Sequence, residues 1–202
     1  NSLGLYYGMI TQYLGFQMTN DEYKIMGLAS YGKNKFEDQF KKILKSTDNF
    51  YKLDNNLDIR NKSSKIYTTD FSTRQEKIFT EKLEKFLGKR RLNGEPISQR
   101  FIDVAHSAQQ RLNEVVIDIC KYALSLTKSS KLCMAGGVAL NCQTNLAITE
   151  KLKINDIYIP SAPNDAGVAL GAAILESEKQ GFKTEVLTHA YLGPRYSNGQ
   201  VR

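Results

Sequence analysis

Two short stretches carry residue types from which a ligand site could be built. The first is Gly136-Gly137-Val138-Ala139-Leu140-Asn141, directly after the run Lys131 to Ala135. Paired glycines after a strand permit a tight turn and let a ligand come close to the backbone. The start of the following helix offers unpaired N–H groups and the positive end of a dipole, which suits a phosphate. Asn141 adds a side chain that both donates and accepts hydrogen bonds. A glycine turn needed only for packing would look the same, so spacing leaves both readings open. The second stretch is Pro163-Asn164-Asp165-Ala166-Gly167. Asp165 stands where a helix cap would stand; a carboxylate there could also face a cleft and bind a hard or borderline cation. A third group, Asp21, Glu22 and Lys24, opens a helical stretch. Its acids either favour the helix dipole or hold a ribose hydroxyl or phosphate.

Other chemistries lack their residues. There is no Ser/His/Asp order, no HExxH, no Walker loop and no nucleic-acid motif, and no residue is assigned a catalytic role. His106 reads as a packed side chain in a helix and His189 as a surface one. Cys120, Cys133 and Cys142 form no CxxC pair, as expected of reduced structural thiols in a cytoplasmic protein, and with two histidines they build no zinc site. No apolar run approaches the roughly 20 residues that span a bilayer. A composition 41% hydrophobic and 24% charged is that of a globular protein. The net charge of +7 is concentrated: residues 33–91 hold 16 Lys/Arg against 9 Asp/Glu, and the remainder holds 12 of each. Such a segment is either a phosphate or nucleic-acid surface or a solvated helical face; Glu76, Glu81 and Glu84 among Lys77, Lys82 and Lys85 favour the second.

The elements that must position these residues are legible in outline. Ser2 caps a helix to Leu14, with Leu3, Tyr6, Ile10 and Tyr13 on one face. A second helix starts at Asn20–Asp21 and stops near Gly32. Residues 33–99 read as a basic insertion: a short helix over Phe36–Leu44, a hairpin of Phe50–Leu53 with Leu57–Ile59 turning at Asp54-Asn55-Asn56, and an amphipathic helix over Thr73–Phe86 with Ile78, Leu83 and Phe86 inward. The strongest helix runs from Gln99 or Arg100 to Thr127, with an apolar stripe from Phe101 to Leu126. Then come a strand (131–135), the glycine turn, a helix to Lys151, a strand (156–159), a loop and a small-residue helix from Asp165 to Lys179. This alternation is that of a parallel α/β layer, and its two loops leave the carboxyl ends of the strands, where open α/β sheets bind ligands. The organisation reads as a helical start (1–32), the insertion (33–99), an α/β nucleotide-binding lobe (100–190) and a linker (191–202).

Several blocks together resemble the nodulation-type and antibiotic-type O-carbamoyltransferases. They are Ser2–Tyr7 (SLGLYY), Thr11–Phe16 (TQYLGF), Asp21–Gly32 (DEYKIMGLASYG), Asp103–Gln109 (DVAHSAQ), Leu132–Cys142 (LCMAGGVALNC), Pro160–Ala173 (PSAPNDAGVALGAA) and His189–Ser197 (HAYLGPRYS). The resemblance implies one lobe of an actin/sugar-kinase-like α/β domain, similar to the enzymes that place threonylcarbamoyl groups on tRNA adenosine. It implies that carbamoyl phosphate and ATP give carbamoyl-adenylate, whose carbamoyl group passes to a hydroxyl of a small-molecule substrate. By position, Gly136, Gly137 and Asn141 match the motif against the nucleotide, Glu22 and Lys24 a block at its adenosine side, and Asp165 a ligand of a divalent metal of the Fe2+ type. The family's HxxxH motif and first phosphate loop would lie before Asn1, and its adenylate-forming domain after residue 202. This chain is then expected to be about one lobe of a larger enzyme, inactive alone, with the amino-terminal lobe and carboxyl-terminal domain as its partners and neither membrane nor nucleic acid among them. A tRNA-modifying relative and a non-catalytic nucleotide-binding module are the alternatives.

Overall fold

The computed structural model describes residues 2–48, 50–54, 56–57, 78–184, 187, 189–191 and 193–200. The chain divides into two compact units, Asn1–Leu132 with Asn141–Ile157, and Cys133–Leu140 with Tyr158–Arg202. The boundaries expected at 32/33 and 99/100 both fall inside the first unit.

The first unit is organised around one long helix. α1 (Leu3–Tyr13) opens as expected, with Ser2 Oγ accepting from Leu5 N at 3.0 Å. Leu3, Tyr6, Tyr7, Met9, Ile10 and Tyr13 are all buried. α2 (Glu22–Ala29) follows a turn in which Glu22 Oε1 reaches back to Thr19 N, 2.6 Å away. α3 (Glu37–Ile43) runs directly into β1 (Leu44–Ser46), which pairs antiparallel with β2 (Tyr51–Leu53). Phe50–Leu53 of the expected hairpin returns onto the segment before it, with Asp54 N bonding Ile43 O at 2.9 Å; the expected turn follows, with Leu57 N bonding Asp54 O at 3.0 Å and Asn56 N bonding Asp54 Oδ1 at 3.0 Å. Leu44 and Leu53 are buried opposite one another. Asn55 and residues 58–77 lie outside the described residues, including the rest of that hairpin and the start of the expected helix over Thr73–Phe86. Ile78–Thr80 are described and not helical, so the helix starts later than expected, as α4 (Glu81–Leu87), capped by the extended Thr80 and burying Leu83 and Leu87, with Phe86 half-buried.

α5 (Gln99–Thr127) is the organising element. Its stripe is buried from Phe101 through Val115, Ile119 is half-buried, and Leu126 in the last turn is 65% exposed. Interleaved with the apolar residues are buried polar ones: Asp103, Ser107, Gln109, Arg111 and Asn113. Each reaches a different segment. Asp103 accepts from Lys33 N (3.0 Å) and pairs with Lys35 Nζ (2.9 Å), and Ser107 Oγ accepts from Phe36 N at 3.1 Å. Arg111 Nε donates to Leu44 O at 2.7 Å. His106 is packed as expected, its Nδ1 2.7 Å from Ala29 O. Gly32 lies so close to α5 that a Cβ there would come 2.5 Å from Ile102 O, so glycine is required by space and does not merely end a helix. α6 (Cys142–Lys151) completes this unit, burying Thr144 and Ile148.

β3 (Lys131–Cys133) and β4 (Asp156–Tyr158) form a two-stranded sheet. Asn155 N bonds Ser130 O at 2.7 Å before the pair, and Met134 N bonds Tyr158 O at 3.0 Å after it. The partners advance together along the chain, so the strands are parallel. The expected helix from the glycine turn to Lys151 is broken: a 3-10 turn covers Gly137–Leu140 and α6 starts only after Asn141. In the second unit, α7 (Gly167–Lys179) starts two residues later than expected, with Ala166 and not Asp165 at its N-cap. None of the described residues of α7 is buried. The architecture is thus mixed helix with small sheets, an α/β arrangement.

Gly32→Ala is expected to destabilise the first unit by about 1–3 kcal/mol, because α5 backbone must shift to admit the methyl group; urea unfolding measures this. Burial raises the pKa of Asp103, but its hydrogen bonds with Gln99, Lys35 and Lys33 N outweigh this and leave it lowered. A depressed folded-state pKa contributes stability that is complete above the unfolded value of about 3.9 and is lost as pH falls through the folded one. Thermal melts from neutral to strongly acid pH should therefore show an acid limb that Asp103→Asn flattens.

Candidate functional site

The residues singled out by sequence fall into two places, one in each unit. In the second unit, Gly136 takes φ +97°, a conformation that favours glycine, and its N–H bonds Pro163 O at 2.6 Å. This bond ties the glycine loop to the Pro163–Gly167 loop, as expected of two loops leaving neighbouring parallel strands. A Cβ on Gly136 or Gly137 would meet no atom within 4 Å. The glycines therefore leave open space beside a backbone turn, and packing does not require their small size. Asp165 is exposed, and its backbone oxygen accepts from Val168 N at 3.1 Å. Among the described residues no group of three His, Cys, Asp or Glu could hold a metal ion. One carboxylate does not fit a divalent metal unaided.

In the first unit, Asn141 is the N-cap of α6 and is only 8% exposed. Thr144 N can only donate, and at 3.0 Å it fixes Asn141 Oδ1 toward itself. Asn141 Nδ2 then faces Gln109 Oε1 at 2.9 Å. Gln109 Nε2 in turn faces Asn141 Oδ1 (3.1 Å), Thr144 Oγ1 (3.0 Å) and Asn113 Oδ1 (2.8 Å). Thr144 Oγ1 donates to Asn113 Oδ1 at 2.8 Å. Gln109 Oε1 also accepts from the Tyr7 hydroxyl at 2.7 Å. One backbone N–H thus determines the orientation of every amide in the cluster. Burial pushes the Tyr7 phenol well above the usual tyrosine range; a hydrogen bond with Asn141 acts against this, and the nearby Glu22 and Cys142 add to it. Tyr7 accordingly stays protonated and donates. Its surroundings bring Glu22 and Asn141 into one neighbourhood. Gln143 Nε2 docks the first turn of α6 on α2 through Met26 O at 2.7 Å and Ser30 Oγ at 2.9 Å.

Lys24 is turned to local use. Its ammonium pairs with Asp21 at 2.9 Å and lies over the Phe16 and Tyr23 rings. The basic segment is partly paired among its described residues: Lys35 with Asp103, Lys41 with Glu37, Lys82 with Asp54. An open concavity lined by Asp38, Lys41, Lys42, Lys45, Ser46 and Arg111 lies on it, but the Arg111 guanidinium already serves Leu44 O, Ser46 Oγ and Glu114.

Residues 1–174 match the family model described as the carbamoyltransferase N-terminus. The chain belongs to the carbamoyltransferase family. It is similar to nodulation protein NolO of Bradyrhizobium diazoefficiens, at 34% identity over 203 residues, covering 100% of this chain and 33% of that protein. It is similar to nodulation protein NolNO of Sinorhizobium fredii, at 34% over 197 residues, 96% of this chain and 26% of that protein. An uncharacterized protein of Synechocystis matches at 34% over 214 residues, 100% of this chain and 32% of its own. The chain thus spans about a third or less of the length of these relatives. Among the described residues no helix is long and apolar enough to cross a membrane.

Within this family domain, sequence reasoning missed Tyr7, Gln109, Asn113 and Thr144. A signal existed: Gln109 and Asn113 are amides four residues apart within the apolar stretch of α5, where helical neighbours share a face. Asn141→Ala removes a cap and leaves the Gln109 amide unsatisfied in a buried place. The expected loss is about 1–3 kcal/mol in denaturant unfolding. A change below about 0.5 kcal/mol, usual for an exposed site, would contradict the network.

Proposed function

We propose that this chain supplies the nucleotide-loop part of an O-carbamoyltransferase. In this reading carbamoyl phosphate and ATP give carbamoyl-adenylate, and the carbamoyl group passes to the hydroxyl of a small-molecule acceptor. Family membership supports the transferase class. The observation that carries the finer reading is the glycine loop itself, a positive-φ turn after a parallel strand with open space at both glycines. Such space admits phosphate oxygens beside the turn without moving a side chain, while the Gly136 N–H itself is held by Pro163 O. Gly136, Gly137 and Asn141 form the loop motif, with Glu22 and Lys24 at the adenosine side. Asp165 contributes one carboxylate to an Fe2+-type metal in this reading; the described residues do not complete such a site, and no step is derived through it. The remaining parts of the reaction fall to the amino-terminal lobe and carboxyl-terminal domain that the family resemblance implies.

The test is calorimetric titration of the complete gene product with ATP. Gly137→Val places its side chain in open space, so the melting temperature should hold while ATP affinity falls by about tenfold or more. Unchanged affinity in that variant, or no ATP binding by the wild type, would overturn the reading.

A further inference from the structure

We propose that the open concavity where α3, β1 and α5 meet is a binding site for a small phosphate-bearing anion. All of its lining residues belong to the first unit, so the proposal does not depend on the glycine loop. The most buried lining residue is Arg111, whose side chain is 9% exposed. Its guanidinium uses three N–H groups, on Leu44 O, Ser46 Oγ and Glu114. A guanidinium carries five N–H groups in all, so one on each terminal nitrogen is left without a partner among the described residues. Arg presents its donors as a planar fork, and that fork matches the oxygens of a phosphate.

The rim adds charge that the fold does not consume. Lys41 holds Glu37, but Lys42 and Lys45 form no ion pair among the described residues, although Asp38 stands one turn before Lys42 on α3. The helix dipole accounts for lysines in the last turn of α3 but not for Lys45, which is on a strand. Lys45 stands directly opposite Lys52 across the β1–β2 pair, and both are exposed. Like charges facing one another across strands are unfavourable, and an anion beside Lys45 relieves that repulsion. Four cations line the concavity against one acid, Asp38, which favours a dianion over a singly charged carboxylate. The volume, about 540 Å³, is in the range of small-molecule sites and larger than one phosphate needs. No aromatic side chain lines it, so it lacks the stacking platform of a single-stranded nucleic-acid site.

The probe is inorganic pyrophosphate, titrated calorimetrically into the complete gene product at constant ionic strength. The titration is made in the Gly137→Val background as well, so that binding at the glycine loop is not counted. Lys42→Gln and Lys45→Gln should each weaken binding by about threefold, and the pair by about tenfold, in both backgrounds. Asp38→Asn removes the one acid and should tighten binding by about twofold. Lys151→Gln removes the same charge from the exposed end of α6, outside the concavity, and should change affinity by less than about 1.5-fold. All four residues are exposed, so circular dichroism should show each variant folded. A loss in Lys151→Gln equal to that in Lys42→Gln would assign binding to net charge and overturn the proposal. Unchanged affinity in the double variant, or no pyrophosphate binding by the wild type, overturns it too. An RNA oligomer that binds more tightly than pyrophosphate and is weakened by the same substitutions would make the surface a nucleic-acid one, and the small-molecule assignment would fall. None of these outcomes touches the nucleotide reading, which Gly137→Val tests with ATP.

Discussion

The polar residues buried along α5 are the constraint on which the first unit depends. An apolar stripe alone would gather α1, α2, α3 and α6 around a long helix, since hydrophobic burial is strong and has no direction. It would not decide which segment lies where. Asp103 and Ser107 receive the N–H groups of Lys33 and Phe36. Arg111 receives the carbonyl where α3 becomes β1, and Gln109 with Asn113 receives α6. Each of these groups would cost about 1–3 kcal/mol if left unpaired, so each excludes the packings that leave it so. The helix therefore works as an address strip, with hydrophobic burial supplying the affinity and buried polar groups the register.

That division of labour bears on the chemistry of the family. A loop that binds a phosphate through backbone N–H groups must hold them in place before the ligand arrives, or the ordering entropy is charged against binding. Asn141, the N-cap of α6, is held by the amide cluster of the first unit. The glycines remain the freest part, with no atom close to where a Cβ would be.

The basic segment has a different logic. Its excess of lysine and arginine is the whole net charge of the chain. Among its described residues, several of these cations hold carboxylates or carbonyls of the same unit. Lys35 and Arg91 are thereby structural, tying residues of this segment to Asp103 on α5 and to Leu14 O at the end of α1. A charged residue that closes an internal contact in this way contributes less field to a partner outside than its formal charge suggests.

The sequence alone determined α1 with its Ser2 cap, the α5 stripe and the glycine turn, because local periodicity and turn chemistry are written in neighbouring residues; the starts of α4, α6 and α7 it placed too early. Ser2 capping α1 and the start of α5 at Gln99 needed no tertiary information. The family was also legible, since its blocks are spread along the chain in order. Only the tertiary structure decided that Phe50–Leu53 pairs with Leu44–Ser46, since strand pairing depends on which apolar side chains find cover and not on the nearest turn signal. Only it showed that Gly32 is glycine for lack of space against Ile102, a contact 70 residues away in the chain. And only it showed where the Asn141 amide goes: an asparagine after a glycine turn is chemically free to meet a ligand, and it is the buried glutamine of a distant helix turn that takes up that freedom.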